Sequence, residues 1–386
     1  MGLLGELEII SKVMNKIVLI ENTGKDFYNS RIRFATFLKS KGCDVSVIVP
    51  NDGYDEKIRQ AGFNTHIVGQ NIRGYGLINK LMFAVALLKI LRKEKYIVVH
   101  CFRLQPNIIG GFVAGIFGHK NVINHITGLG IAFTNKSIKN KMLQFVTKFA
   151  YRFNSVFFKT KYIFQNKEDQ QELGIYNNSV VILGSAVNED LFMPKAHNIV
   201  DKSIKPEQKV ILFVSRLIKT KGLKELVDAV QFINNEIESL LKLYIVGWID
   251  EQNENSFNKS EIDIYQNDKN ITFLGERADV DMLINFSDLC ILPTYYREGT
   301  PRFLLEAMSC AKPIITTEMP GCNHLINPIN INGALVPVRD SGSLALAIEN
   351  LLTLDLKRIG ENGRSYYEAN FSETLVYNSI YKMYNI

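Results

Sequence analysis

Two glutamates eight positions apart, Glu298 and Glu306, have the clearest chemical potential in this chain. They lie in the stretch PTYYREGTPRFLLEAMSCAKPIITT at 293–317. Glu298 follows the short apolar run DLCILP, which reads as a buried parallel strand ending at a proline. Thr300 and Pro301 read as a helix start: a hydroxyl N-cap, then a residue with no amide hydrogen to satisfy. The helix would turn Leu304, Leu305, Met308 and Ala311 inward, carry Glu306 near its second turn, and stop at Pro313. Open α/β sheets hold ligands beyond the carboxyl ends of their strands, and a helix start offers unpaired amides and a positive dipole end to an anion. This unit therefore joins an anion cradle to two acceptors for hydroxyls, which suits a nucleotide sugar.

Other candidate groups sit at similar places. Arg216 and Lys221 follow the run KVILFVS, in the loop LIKTKG. Two cations at a sheet's carboxyl edge can neutralise a leaving diphosphate, stabilising charge where it develops. His125 ends an apolar run in NHITGLG, before the glycine-bearing loop with Gly128, and Gly24 lies in the turn after the first run, KIVLIE. Arg31 and Arg33 are candidates for an anionic acceptor or for plain solvent exposure. Asp279 and Asp281 form a D-x-D, but both fall in the first turn of a helix, where the dipole accounts for them without a metal. No His/Cys/Glu cluster suggests another ion, and no cofactor is expected.

The elements that must position these residues alternate between strand and helix. Strands are expected near 16–21, 44–49, 64–68, 97–101, 121–126 and 179–183. Helices are expected near 28–41, 53–62, 76–95 and 105–117. The pattern restarts at 209–215, 241–246, 270–274, 288–292 and 314–316, and ends in three helices near 341–353, 356–369 and 372–384. Such alternation means doubly wound parallel sheets. No G-x-G-x-x-G follows the first strand, so a dinucleotide fingerprint is absent. The polar, proline-bearing 193–208 reads as a linker, which gives domains at 14–192 and 209–370 and a final helix at 371–386. Residues 1–13 read as an extension before a natural start at Met14.

The 386 residues exceed one ordinary core, in keeping with two domains. Five scattered cysteines without metal-ligand spacing read as reduced and structural, in a cytoplasmic protein. No run approaches the ~20 apolar residues of a membrane span, and LMFAVALL at 81–88 reads as a core helix. Residues 1–200 hold 26 Lys+Arg against 14 Asp+Glu, whereas 201–386 hold 19 against 25. The basic excess has a focus at 136–167, where eight Lys or Arg alternate with aromatic residues and no acid intervenes. Two readings stay open there. One is a helix with a core face, then a buried strand near 155–165, with lysines on the solvated side. The other is a basic, aromatic surface against the anionic inner face of a membrane, each lysine worth about 1 kcal/mol. Nucleic acid is a poorer partner, because no matching motif accompanies the charge.

The EG-x-P, LLEAM and KPII around Glu298 and Glu306 resemble the signature of retaining glycosyltransferases of family 4, with the GT-B fold. SRLIKTKG is similar to that family's SR-x4-KG. The resemblance implies two Rossmann-like domains facing across a cleft. The first would bind the acceptor and the second a nucleotide sugar, with the last helix crossing back. It implies that Glu298 contacts the donor sugar and Glu306 the ribose, neither as a nucleophile, and that Arg216 and Lys221 hold the diphosphate. His125 and Gly128 would face donor sugar or acceptor, and Gly24 the donor phosphates. The leaving group would meet amides near Thr300, with Gly299, Pro301 and Arg302 also among the substrate-binding residues, and the base would rest near Gly275 and Arg277. In HITGLG and EGTP the chain looks most like enzymes that extend undecaprenyl-diphosphate-linked sugars, N-acetylhexosamine transferases using UDP donors among them. Rival readings are a UDP-sugar epimerase and a silent nucleotide-sugar-binding protein.

Overall fold

The structure is a computed structural model describing residues 15–70, 77–134, 137–196, 204–205, 207–237, 240–251 and 253–386. The expected extension at 1–13 and Lys136 lie outside the described residues. Strands β1 (Asn15–Ile20), β2 (Cys43–Asn51), β3 (Asn64–Gln70), β4 (Val98–Phe102), β5 (Val122–Ile126), β6 (Lys161–Phe164) and β7 (Ser179–Val181) form one sheet, in the order β3-β2-β1-β4-β5-β6-β7. Strands β8 (Lys209–Val214), β9 (Leu241–Val246), β10 (Ile271–Gly275), β11 (Leu289–Leu292), β12 (Ile314–Thr317) and β13 (Gly333–Val336) form a second, in the order β10-β9-β8-β11-β12-β13. In the second sheet every neighbouring pair runs parallel. Helices on both faces explain why runs such as Ile17–Ile20 and Leu289–Leu292 are buried throughout rather than on alternate residues. The expected doubly wound fold class is present twice.

The chain divides into two compact units. One contains residues 1–125, 153–161 and 381–386, and the other 126–152 and 162–380. The second has the larger core, built from β8–β13 with Leu223, Leu226, Val230, Leu304, Leu305 and Met308 of its helices. In the first, Phe83, Leu87 and Leu91 of the helix Leu77–Lys93 pack with Val18, Ile20, Val99 and Cys101 of the strands. All five cysteines are buried and free. The described residues of 193–208 contain no helix or strand until β8 begins.

Some expectations need correction. The helix expected at 28–41 begins at Gly24, because Thr23 caps it by accepting from the Asp26 amide at 3.1 Å. It breaks at Arg31, which turns inward over the Phe102 ring at 4.6 Å and toward Glu21 at 3.8 Å. Arg31 is therefore buried, and the expectation of plain solvent exposure does not hold for it. The strand expected near 155–165 shrinks to β6, because the preceding helix, Ile138–Phe158, continues for 21 residues. That helix has the expected core face and its Lys139 and Lys141 are exposed, but most of its large apolar residues lie outside that core face. Thr147, Tyr151 and Asn154 point inward, while Met142, Phe145, Val146, Phe149, Val156 and Phe157 are exposed. The core helix expected around 81–88 is likewise half apolar surface, with Ile78, Leu81, Met82 and Val85 exposed.

Candidate active site

The second sheet changes direction between β8 and β11, and a doubly wound sheet binds ligands at that switch point. The loop after β8 carries Arg216 and Lys221, and the loop after β11 carries Glu298. Neighbouring strands thus place Lys221 beside Glu298, although 77 residues separate the two, with Arg216 on the same loop as Lys221. The loops are stitched together. Tyr295 and Thr294 both donate to the Thr220 carbonyl, at 2.9 and 3.2 Å. Gly222 has φ +78°, and a Cβ there would lie 2.0 Å from the Pro293 carbonyl oxygen.

Lys221 donates to Glu298 through Nζ, in a pair that is mostly buried, and its ammonium lies 5.1 Å from the centre of the Tyr296 ring. Arg216 Nη1 donates to Asp250 Oδ2 at 2.6 Å. Each proposed diphosphate-binding cation is therefore held by a carboxylate. Such a pair orients the cation in a partly dry place, where an incoming phosphate competes for it.

The Glu298 loop is tightly fixed. Arg297 Nε donates to Asp169 at 2.8 Å and Nη1 to Glu172 at 3.1 Å, while Nη2 reaches the Glu168 carbonyl at 3.2 Å. Asn166 donates to the carbonyls of Glu298 and Gly299, at 3.3 and 3.1 Å. Gly128 packs on the same loop with φ +110°, so closely that a Cβ there would lie 2.5 Å from the Gly299 nitrogen. Gly130 donates from its amide to the Arg297 carbonyl at 3.0 Å.

The helix Arg302–Ser309 starts one step later than expected. Pro301 is the N-cap residue and makes no side-chain cap. The Thr300 hydroxyl instead lies 3.5 Å from the Gln165 carbonyl and 3.3 Å from His324 Nε2. Glu306 is half-buried on this helix. Burial raises its carboxyl above the usual range, and the Arg302 guanidinium at 3.5 Å pulls it back.

Other expected residues fare differently. Gly275 ends β10 with φ +69° and open space where a Cβ would go, so it leaves room for a flat group. Arg277 is turned onto Asp279, at 2.8 and 2.6 Å, and Asp281 is taken by Lys195. Each carboxylate of the D-x-D thus has a cation of its own, rather than the helix dipole alone. Gly24 offers no free amide to a phosphate, because its N–H donates to Asp52 at 2.7 Å. His125 lies near the end of β5, as expected. Its ring stacks 5.6 Å from that of His100, and burial, then Arg31 and His100, drives its pKa well below the ordinary value. The imidazole is buried and neutral in this structure.

Arg297, Asp250 and His324 had no sequence signal beyond lying near motif residues. Burial pushes His324 down to about 4 from 6.5. Between those values the unfolded chain binds a proton that the folded chain refuses. The stability this provides is present above about pH 6.5 and lost as pH falls through 4, about 3 kcal/mol at most. Asp169, raised to about 6 chiefly by burial, works in the opposite sense. Denaturant titrations of wild type and His324→Gln at several pH values isolate the histidine: the variant is expected to lose less stability between pH 6.5 and 4.

Known proteins resemble this chain along most of its length. The family model described as "Glycosyl transferase 4-like" matches residues 16–166, and that described as "Glycosyl transferases group 1" matches residues 195–366. A Campylobacter jejuni protein, N,N'-diacetylbacillosaminyl-diphospho-undecaprenol alpha-1,3-N-acetylgalactosaminyltransferase, is 24% identical over 96% of this chain and 98% of its own. An Escherichia coli protein, UDP-Gal:alpha-D-GlcNAc-diphosphoundecaprenol alpha-1,3-galactosyltransferase, is 26% identical over 78% and 81%. A solved glycosyltransferase from Rickettsia africae superposes with TM-score 0.76 at 21% identity, over 96% of this chain and 98% of that one. Fold and site together define a glycosyltransferase with the GT-B fold. The chain belongs to the glycosyltransferases that join a 4-like first part to a group 1 second part.

Proposed function

We propose that this chain moves an N-acetylhexosamine or a related hexose from a UDP-sugar to a saccharide carried on a lipid diphosphate, keeping the α-configuration. The observation that carries the reading is the meeting of Lys221 and Glu298 at the switch point of the second sheet, with Arg216 on the same loop as Lys221. The activities for which the C. jejuni and E. coli relatives are named supply the substrate class. In this reading the acceptor hydroxyl attacks the anomeric carbon from the side on which the diphosphate leaves. The carbon–oxygen bond to phosphate breaks, and the departing phosphate oxygen takes the acceptor's proton. Lys221 and Arg216 offset the charge that grows on that oxygen, and Glu298 accepts hydrogen bonds from donor hydroxyls. The reading requires no metal and no cofactor beyond the sugar donor. The test is transfer of labelled sugar from a panel of nucleotide sugars to a lipid-diphosphate acceptor. An isomerised donor would point to an epimerase, and neither transfer nor isomerisation to a silent binder.

The same reading places the chain on the inner face of the cytoplasmic membrane. No described helix is long and apolar enough to cross a membrane. On the helix Ile138–Phe158, however, Phe145 is 71% and Phe149 63% exposed, beside exposed Lys139 and Lys141. An exposed apolar stripe edged by cations suits an anionic lipid surface, with its apolar side in the acyl boundary. Phe145→Asp with Phe149→Asp is expected to lower binding to phosphatidylglycerol vesicles at least tenfold in a sedimentation assay. Unchanged binding, or binding indifferent to salt, would remove the membrane part.

A further inference from the structure

The exposed helix and the Glu298 loop are joined by a chain of ion pairs. Lys148, on the helix, donates to Glu172 Oε1 at 2.6 Å. The other oxygen of Glu172 accepts from Arg297 Nη1 at 3.1 Å. Arg297 is the residue before Glu298, and its remaining contacts fall on the nearly buried Asp169 and on the Glu168 carbonyl. The Phe133 ring lies between the two cations, 6.0 Å from Lys148 Nζ and 6.0 Å from the Arg297 guanidinium carbon. The helix also grips this region through Gln144, which donates to the Ala132 carbonyl at 2.7 Å. Lys148 itself is at an edge of the exposed apolar face. Lys141, Lys148 and Arg152 are spaced seven and four residues apart, on one side of the stripe formed by Met142, Phe145 and Phe149.

We propose that Arg297 is a positioning residue for Glu298, and that Glu172 and Lys148 make its grip respond to an anionic surface docked on the exposed helix. The proposal rests on the transferase reading above and adds regulation of that site. Glu172 is shared by two cations. Its carboxyl is held below the usual range, first by the hydrogen bond from Lys148, so it stays ionised and divided between them. Lys148 is about one-third exposed, and anionic headgroups compete for it. Once Lys148 turns to the lipid, Glu172 is left to Arg297 alone. The Arg297 fork then holds the Glu298 backbone more firmly, and Glu298 and Lys221 are better fixed for the donor. A ligand at one place shifts affinity at another only through such a difference between states, and the effect is reciprocal.

The test is calorimetric titration of the full chain with UDP, with and without phosphatidylglycerol vesicles. Wild type is expected to bind UDP about fivefold or more tightly with the vesicles. Glu172→Gln is expected to bind the vesicles as wild type does, and to lose that gain. Lys148→Gln, a change on the exposed helix, serves if Glu172→Gln fails to fold, and the same loss is expected. Arg297→Lys keeps a charge but not the fork, so donor KM should rise with little change in Tm. A UDP affinity indifferent to vesicles in wild type, or a gain that survives in the Glu172 or Lys148 variant, would overturn the proposal and leave the transferase reading standing. No UDP binding under any condition would end both.

Discussion

Lys221→Met should lower the rate of sugar transfer by about a hundredfold to a thousandfold, the usual loss when one preorganised group facing a developing oxyanion is removed. Lys221 is nearly buried and held by Glu298, so its ammonium has few other partners and little water. The charge it meets grows as the bond to phosphate breaks, so its loss should fall on kcat more than on donor KM. Glu298→Gln tests the other half. The amide still contacts donor hydroxyls but no longer balances Lys221, and it can donate where the carboxylate only accepts. Transfer should drop here too, with a larger rise in donor KM. Steady-state rates with the best donor of the panel check both, and full activity in either variant would remove these residues from the site.

Gly222→Ala is expected to destabilise the protein by about 2–4 kcal/mol and to lower transfer with it. Two causes add. The residue has φ +78°, a left-handed conformation that disfavours a side chain, and the new methyl would stand 2.0 Å from the Pro293 carbonyl oxygen. That oxygen is backbone at the end of β11, so relief requires the two loops to part. Lys221 directly precedes Gly222, and parting the loops carries it away from Glu298. Gly222→Asn separates the causes, since asparagine tolerates this φ but not the clash. Equal losses of Tm in the two variants would assign the effect to the close approach, and an unchanged Tm would show that the loops yield cheaply.

Much of this was legible in the sequence because parallel strands buried on both faces leave short, unbroken apolar runs. Residues 288–292 and 209–215 could be read as strands, and Arg216, Lys221 and Glu298 as residues on the loops after them. The fold then did what those runs imply, setting β8 beside β11. What the sequence did not show were contacts between distant side chains. Nothing local to Asp250 says that it holds Arg216, and nothing in TYYREG says that Arg297 reaches Asp169 and Glu172 more than 120 residues away. Gly24 looked free because its partner, Asp52, lies 28 residues on. His125 falls in the strand where its apolar run put it, but the sequence did not show that its ring stacks with that of His100. The helix Ile138–Phe158 shows the limit of periodicity. Its pattern identifies two faces but does not tell which one is buried, and here the smaller, more polar one is.

The most direct measurement is a structure of the chain with bound UDP. The account predicts the diphosphate between the loops after β8 and β11, its terminal oxygens within hydrogen-bond reach of Lys221 and Arg216, with Arg216 drawn from Asp250. Phosphates bound away from both cations, or held by residues of other loops while Lys221 stays locked on Glu298, would contradict it.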